Sequence, residues 1–378
     1  MSERVYLDWN ATTPLRPEAR EAMVAAWELS GNPSSVHAEG RQARRLVEDA
    51  RAAIAAAVGA RSSGVIFTSG GTEANALALT PGLRRGSGQA AERLLVSAVE
   101  HASVLTGGRF ASDAITTIKA NSSGLVELGH LKALLADGPA LVSVMLANNE
   151  TGAIQPVTEA ARLVHEAGGL LHVDAIQALG KMHFDINSIG ADLVTLSAHK
   201  IGGPKGVGAV VLAEDVQGLQ PWLRGGGQEL GRRAGTENVA GISAFGAASK
   251  AAVTAGEADA ARLTGLRGHL EEGLKQTPGM IVFSDDVPRL PNTTLFTVPG
   301  LKAETAVIGF DLAGIAVSSG SACSSGKVQP SHVLEAMGAG RELAQGAVRL
   351  SLGWSTSHTD IEMALKAWRK LSNALLKG

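Results

Sequence analysis

The first two-thirds of the sequence is punctuated by short, almost purely apolar runs: Val65-Ile66-Phe67, Leu94-Leu95-Val96, residues 141–146, Leu170-Leu171-His172-Val173, Leu193-Val194-Thr195-Leu196 and residues 207–212. Each is too short for an ordinary helix and is bounded by Gly, Ser, Asn or Asp. Stretches with helical spacing, such as residues 128–136 and 158–167, separate several of them. A strand without polar alternation has both faces buried. Such strands alternating with helices predict an α/β fold with a mostly parallel sheet covered on both sides. In that architecture, ligands bind at the carboxyl ends of the strands.

The remaining pattern sets the domain plan. Residues 17–27 read as a helix with Pro17 in its first turn, and residues 38–58 as a longer helix closed by Gly59. An Ala-rich helix near residues 251–275 marks a change of character. Beyond it, residues 281–283, 292–298, 315–317 and 348–352 read as strands, and residues 359–376 as a closing helix. We therefore expect a large ligand-binding domain over residues 15–256. A small α+β domain should span residues 257–378, with residues 1–14 packing on it. At roughly 150 residues per domain, 378 residues agree with two.

Composition narrows the chemistry. With 45% hydrophobic residues the chain can bury a large core, and its 34 Lys+Arg against 36 Asp+Glu leave a net charge of −2. Broad electrostatic capture of nucleic acid or anionic membrane is not its business. One cysteine excludes an internal disulfide and a cysteine-built metal cage within one chain. The N-terminus lacks an apolar signal core, and no apolar stretch reaches membrane-spanning length, so a cytoplasmic protein is expected. The dinucleotide and P-loop glycine patterns fail, at Gly225–Leu230 and Gly320–Val328 respectively, and His165-Glu166 lacks the second His of a metalloprotease.

Three segments survive. Thr68-Ser69-Gly70-Gly71-Thr72-Glu73 joins a strand to a helix, where backbone N–H groups and the helix dipole favour a phosphate; alone, it reads equally as a capped turn. His172-Val173-Asp174-Ala175-Ile176-Gln177 ends a strand with a carboxylate facing the ligand crevice, or with a helix cap. Ser197-Ala198-His199-Lys200 ends the next strand with an amine in a glycine-rich turn, a candidate for condensing with an aldehyde or a plain solvated lysine. Together they suit a ligand with one phosphate, one ring nitrogen and one aldehyde. Pyridoxal 5'-phosphate has all three.

At this point the sequence resembles the cysteine desulfurases, group I (the NifS/IscS type), within the class V aminotransferases. The likeness rests on Asp8 with residues 10–14, Asn32-Pro33-Ser34-Ser35-Val36-His37, Glu100-His101, Asn148-Asn149-Glu150 with Gly152, His172 to Gln177, Ser197 to Gly206, Gly225 to Glu229 with Gly235-Thr236 and Asn238, Ser318 to Gly326, and Arg349 to Gly353. It implies the pyridoxal-phosphate transferase fold type I, whose large domain carries a seven-stranded-type sheet. It further implies that Lys200 holds the cofactor aldehyde and shuttles the Cα proton, and that Asp174 keeps the ring nitrogen protonated. Gln177 and Asn149 would lie near the ring hydroxyl, and His101 would stack on the ring. Gly71, Thr72, Ser197 and His199 would bind the phosphate. Thr236 would reach the phosphate of a neighbouring subunit in a homodimer. Arg349 would clamp the substrate carboxylate, with Asn149 beside it, and no metal is implied. Cys323, in a loop of Ser, Gly and Ala, would take sulfur from L-cysteine as a persulfide. It would pass that sulfur to a protein acceptor such as an iron–sulfur scaffold or sulfur carrier. A selenocysteine lyase, another fold-type I lyase or aminotransferase, and a non-catalytic sulfur carrier are the competing expectations.

Overall fold

The computed structural model describes residues 4–320 and 330–376. Cys323 lies outside the described residues.

Seven strands form the main sheet, in spatial order Val65–Thr68, Gly208–Leu212, Leu193–Ser197, Leu170–Asp174, Leu141–Ser143, Leu94–Ser97 and Ile115–Ile118. All pairings are parallel except those of Gly208–Leu212, which runs antiparallel to both neighbours. Six strands are buried along their whole length. Their residues alternate between two cores. Val142, Leu171, Val173, Val194, Leu196 and Val211 enter one hydrophobic cluster. Leu141, Leu170, Leu193 and Val210 enter another on the opposite face. The period of two in the pleat sends successive side chains to opposite sides, so both need apolar residues.

Ile115–Ile118 was not expected as a strand. Its Ile-Thr-Thr-Ile sequence makes no apolar run, and at the sheet edge its two threonines are exposed. β-Branched Thr suits a half-covered edge, where continuous hydrophobicity is not required.

A smaller antiparallel sheet orders Ile281–Val282, Thr293–Thr297, Val348–Ser351 and Ser318–Ser319. The N-terminal segment joins this part: Val5–Tyr6 pairs with Ile315–Ala316, and Asp8 bridges to Ser351. Val5 and Leu7 pack in its core with Phe296, Phe310, Leu350 and Trp368. The Trp368 ring meets Phe296 edge-on at 5.0 Å, and its indole N–H donates to Thr277 at 2.9 Å. The closing helix, His358–Leu375, starts from a reciprocal Ser357–Asp360 cap.

One helix of 36 residues, Val239–Leu274, serves both parts. Ile242, Phe245 and Ala248 pack in the core of the large sheet, while Leu263, Leu270 and Leu274 pack in that of the small one. Among the described residues, no helix is long and apolar enough to cross a membrane.

Candidate active site

The carboxyl ends of Leu170–Asp174 and Leu193–Ser197, neighbouring parallel strands, open onto a cavity of about 230 Å³. It is lined by Gly71, Thr72, His101, Asn149, Asp174, Gln177, Ser197, His199 and Lys200, with Met145, Ala147 and Ile176 among the apolar contributors. Three segments far apart in sequence thus converge where a parallel sheet directs them.

The helix Gly71–Ala78 begins at one end of this cavity. The first turn of a helix leaves N–H groups without intrahelical partners. A Cβ on Gly71 would fall 2.4 Å from the Ile176 side chain and 3.5 Å from Ser197 Cβ, so a bare backbone is what lets the helix start lie against the cavity wall. The Ser197 hydroxyl is buried and has no hydrogen-bond partner among the described residues. Such an unpaired buried group marks a site that expects a ligand.

Asp174 is buried and accepts hydrogen bonds from the Ile176 N–H at 3.0 Å and the Asn75 amide at 2.9 Å. Burial pushes its carboxyl up, against the pull of those two donors and of His101 and Lys200. A cationic ring nitrogen would supply the missing compensation. Asn75 is held in turn by the Thr195 hydroxyl at 2.6 Å, and Thr195 meets His172 at 3.1 Å.

Lys200 ends the short turn Ala198–Lys200 and donates to the backbone carbonyls of Asn10 at 2.5 Å and Ala11 at 2.8 Å. The turn continues through Gly202 at φ +92°, where a Cβ would lie 2.4 Å from Arg16 and 2.7 Å from Trp354. Burial, followed by the charges of Lys200, Lys205 and Lys181, pushes the His199 imidazole down to about 4. His101 caps the helix Ala102–Leu105, its Nδ1 accepting the Ser103 N–H at 3.1 Å. Burial lowers this ring too, so at neutral pH it is uncharged, with its proton on Nε2.

A second group lies behind the cavity. Arg349, in the strand Val348–Ser351, is almost completely buried. It donates to Asp8 Oδ1 at 2.8 Å and to the Asn149 carbonyl at 3.0 Å, while its Nε has no partner among the described residues. Arg349 is not among the cavity-lining residues, although Asn149 is. Thr236 is exposed and does not line this chain's cavity. Its loop is pinned by Arg233 on Glu73 and by Arg51 on Glu229.

The family model for class-V aminotransferases matches residues 5–363. The chain belongs to that family. A cysteine desulfurase IscS of Dictyoglomus turgidum is 39% identical, the alignment covering 99% of this chain and 96% of that protein. A cysteine desulfurase of Cereibacter sphaeroides is 43% identical over 96% of this chain and 94% of the relative. Among solved structures, a NifS-like protein from Rickettsia africae superposes with a TM-score of 0.90 at 37% identity, covering 98% of this chain and all of that one.

The sequence assigned no role to three residues that brace the candidate site, although Asn10 stands in one of the matching motifs. Asn75, Asn10 and Lys181 are each uninformative amide or ammonium side chains locally, and only the folded chain shows what they bind. For Asn75 and Asn10, the available signal was position: one lies in the helix after the glycine turn, the other in the segment that follows Asp8.

Proposed function

We infer that the protein is a cysteine desulfurase, converting L-cysteine to L-alanine and retaining the sulfur as an enzyme persulfide. The convergence of Lys200, Asp174, His101 and Ser197 on one cavity carries this reading, with the named relatives beside it. The donor set suits pyridoxal phosphate: Gly71, Thr72, Ser197 and His199 for the phosphate, Asp174 for the ring nitrogen, Asn149 and Gln177 for the ring hydroxyl, His101 against the ring and Lys200 for the aldehyde. When bound, that cofactor supplies a reactive aldehyde and a protonated ring that accepts an electron pair from the substrate carbon.

The chain's own groups do the rest. Arg349 fixes the substrate carboxylate, its spare Nε–H being one donor for it. The Lys200 amine accepts the Cα proton. Neutral His101 handles a proton through Nε2. The Cys323 thiolate attacks the substrate sulfur and the carbon–sulfur bond breaks. The bonding pair stays with the carbon fragment, which is protonated to alanine. In sum, L-cysteine and one thiol give L-alanine and one persulfide, with no outside oxidant. The sulfur then passes to a protein acceptor for iron–sulfur assembly or another sulfur-containing product.

The same reading divides the chain at residues 256/257, places the protein in the cytoplasm and makes it a homodimer. Support for the dimer comes from the exposed Trp222, Leu223 and Leu230 in the stretch leading to Thr236. Leu230 is also held at φ +57°, a conformation a non-glycine residue adopts only when its surroundings enforce it. Thr236 would then complete the partner's phosphate site.

The test is incubation of the purified protein, expected to be yellow with bound cofactor, with L-cysteine. Alanine should form, and intact mass should show one added sulfur that a Cys323→Ser variant lacks. Unchanged sulfur release by that variant would refute Cys323 as the acceptor.

A further inference from the structure

Lys181 lies one helical turn's length along the chain from Gln177, in the compact turn that follows Asp174. Gly180 makes this return possible: its φ is +74°, and a Cβ there would sit 2.8 Å from Ala252 Cβ. The Lys181 Nζ donates to Gln177 Oε1 and, at 3.0 Å, to Asn10 Oδ1. A lysine ammonium only donates, so it dictates which end of each amide faces it. Gln177 must present its oxygen to Lys181 and therefore directs its NH₂ elsewhere. Here that NH₂ donates to the Asn10 carbonyl at 3.0 Å, on the cavity-lining side chain.

Asn10 is constrained in the same way. Its Oδ1 accepts from Lys181 and from Asn292 at 3.1 Å. Its Nδ2 consequently donates to Thr293 Oγ1 at 2.9 Å and to the Asn149 carbonyl at 3.1 Å. One side chain thus fixes the polarity of two neighbouring amides, one of them, Gln177, in the wall of the candidate cofactor site.

We propose that Lys181 is a positioning residue, which sets the Gln177 amide so that one N–H is held by the Asn10 carbonyl and the second is available to the cofactor's ring oxygen, and which anchors Asn10 behind Lys200. Its burial supports a local rather than a solvent-facing role, since it is partly screened from water and among the described residues its hydrogen bonds go to two amide oxygens and to no carboxylate. The charged groups sharing its surroundings are Lys200, Arg349, Arg16 and Asp259. Desolvation and the first two cations lower its proton affinity, and the hydrogen bonds to Gln177 Oε1 and Asn10 Oδ1 oppose that shift by favouring the donor-only ammonium.

The proposal rests on the pyridoxal-phosphate reading. It can be tested with holoenzyme and with protein stripped of cofactor and titrated with pyridoxal phosphate. Losing one donor to Gln177 corresponds to about tenfold in affinity. Lys181→Met should therefore raise the cofactor dissociation constant about tenfold and reduce the circular dichroism of the visible band, which reports ring orientation. Lys181→Gln, which keeps a donor, should recover part of both signals. Gln177→Ala should show a similar loss, and adding Lys181→Met to it should cost little more, because both act on the same bond. Equal losses from Lys181→Met in the presence and absence of Gln177 would overturn the proposal. So would unchanged affinity and dichroism in Lys181→Met and Lys181→Gln alike. If the wild-type protein neither binds pyridoxal phosphate nor shows a visible band, the functional reading itself fails, an outcome distinguishable from either of these.

Discussion

The cavity and the arginine group behind it are built by different means. The cavity's chemistry comes from short contiguous motifs, each placed at the end of a buried strand: Gly71-Thr72, Asp174 to Gln177 and Ser197 to Lys200. The arginine group has no such unit. Arg349 meets Asp8 across 341 positions of sequence, and Asn10 meets Asn292 across 282. Local motifs become a site once the parallel sheet forms. The arginine group exists only when the N-terminal segment, the small sheet and the Asn149 turn have all docked. Damage to the first should be confined to cofactor chemistry, whereas damage to the second should reach substrate binding and stability together.

The largest effect should come from Lys200→Ala, which removes the cavity's amine. Alanine formation should fall by ~10³-fold or more, the scale seen when a covalent catalytic group is deleted. The visible band should vanish while the thermal midpoint stays close to wild type. A large drop in that midpoint would blur the distinction between the two regions.

Next comes Arg349→Ala, expected to raise KM for L-cysteine by ~10²-fold through loss of charge-assisted hydrogen bonds. It should also destabilise the protein by about 3 kcal/mol, since Asp8 loses its buried partner. A change in kcat with unaltered KM would separate Arg349 from the carboxylate.

Asn10→Ala sharpens the comparison, because this buried residue touches both regions. Its side chain holds Lys181, Asn292, Thr293 and the Asn149 carbonyl. We expect about tenfold losses in both cofactor affinity and kcat/KM, and about 2 kcal/mol of stability. An effect on one alone would show the regions to be independent.

The smallest effect should be in the acid limb of stability. His199 is held down at about 4 and His172, fully buried between Ser143 and Thr195, at about 3. An unfolded histidine titrates near ~6.5. Between these values the unfolded chain binds more protons than the native one, so stability declines as pH falls from about 6.5 towards 4. Calorimetry of a His172→Gln variant should give a shallower decline over that window. An unchanged slope would remove His172 from the account.

Much of the candidate cavity was legible because its parts obey local rules. The apolar strands announced a doubly covered sheet, and parallel strands deliver their carboxyl-terminal residues to one edge. That is why Thr72, Asp174, Ser197 and Lys200 could be named from strand-end motifs and found lining one wall. Ile115–Ile118 escaped because an edge strand needs only one covered face. Arg349 and Asp8 could be quoted from their motifs, but their ion pair could not.

The amino-acid order alone determined where the backbone would be buried, where it would turn and which chemistry each turn could present. Those properties depend on neighbours within a few residues. The tertiary structure alone decided that Asn10 would sit between Lys181, Asn292 and Asn149, and that Asn75 would hold Asp174. An amide carries both donor and acceptor and suits almost any polar partner, so its sequence neighbourhood does not select one. The choice is made when packing of the hydrophobic cores brings distant segments together and strips them of water. Each buried polar atom must then take the partner the fold leaves beside it.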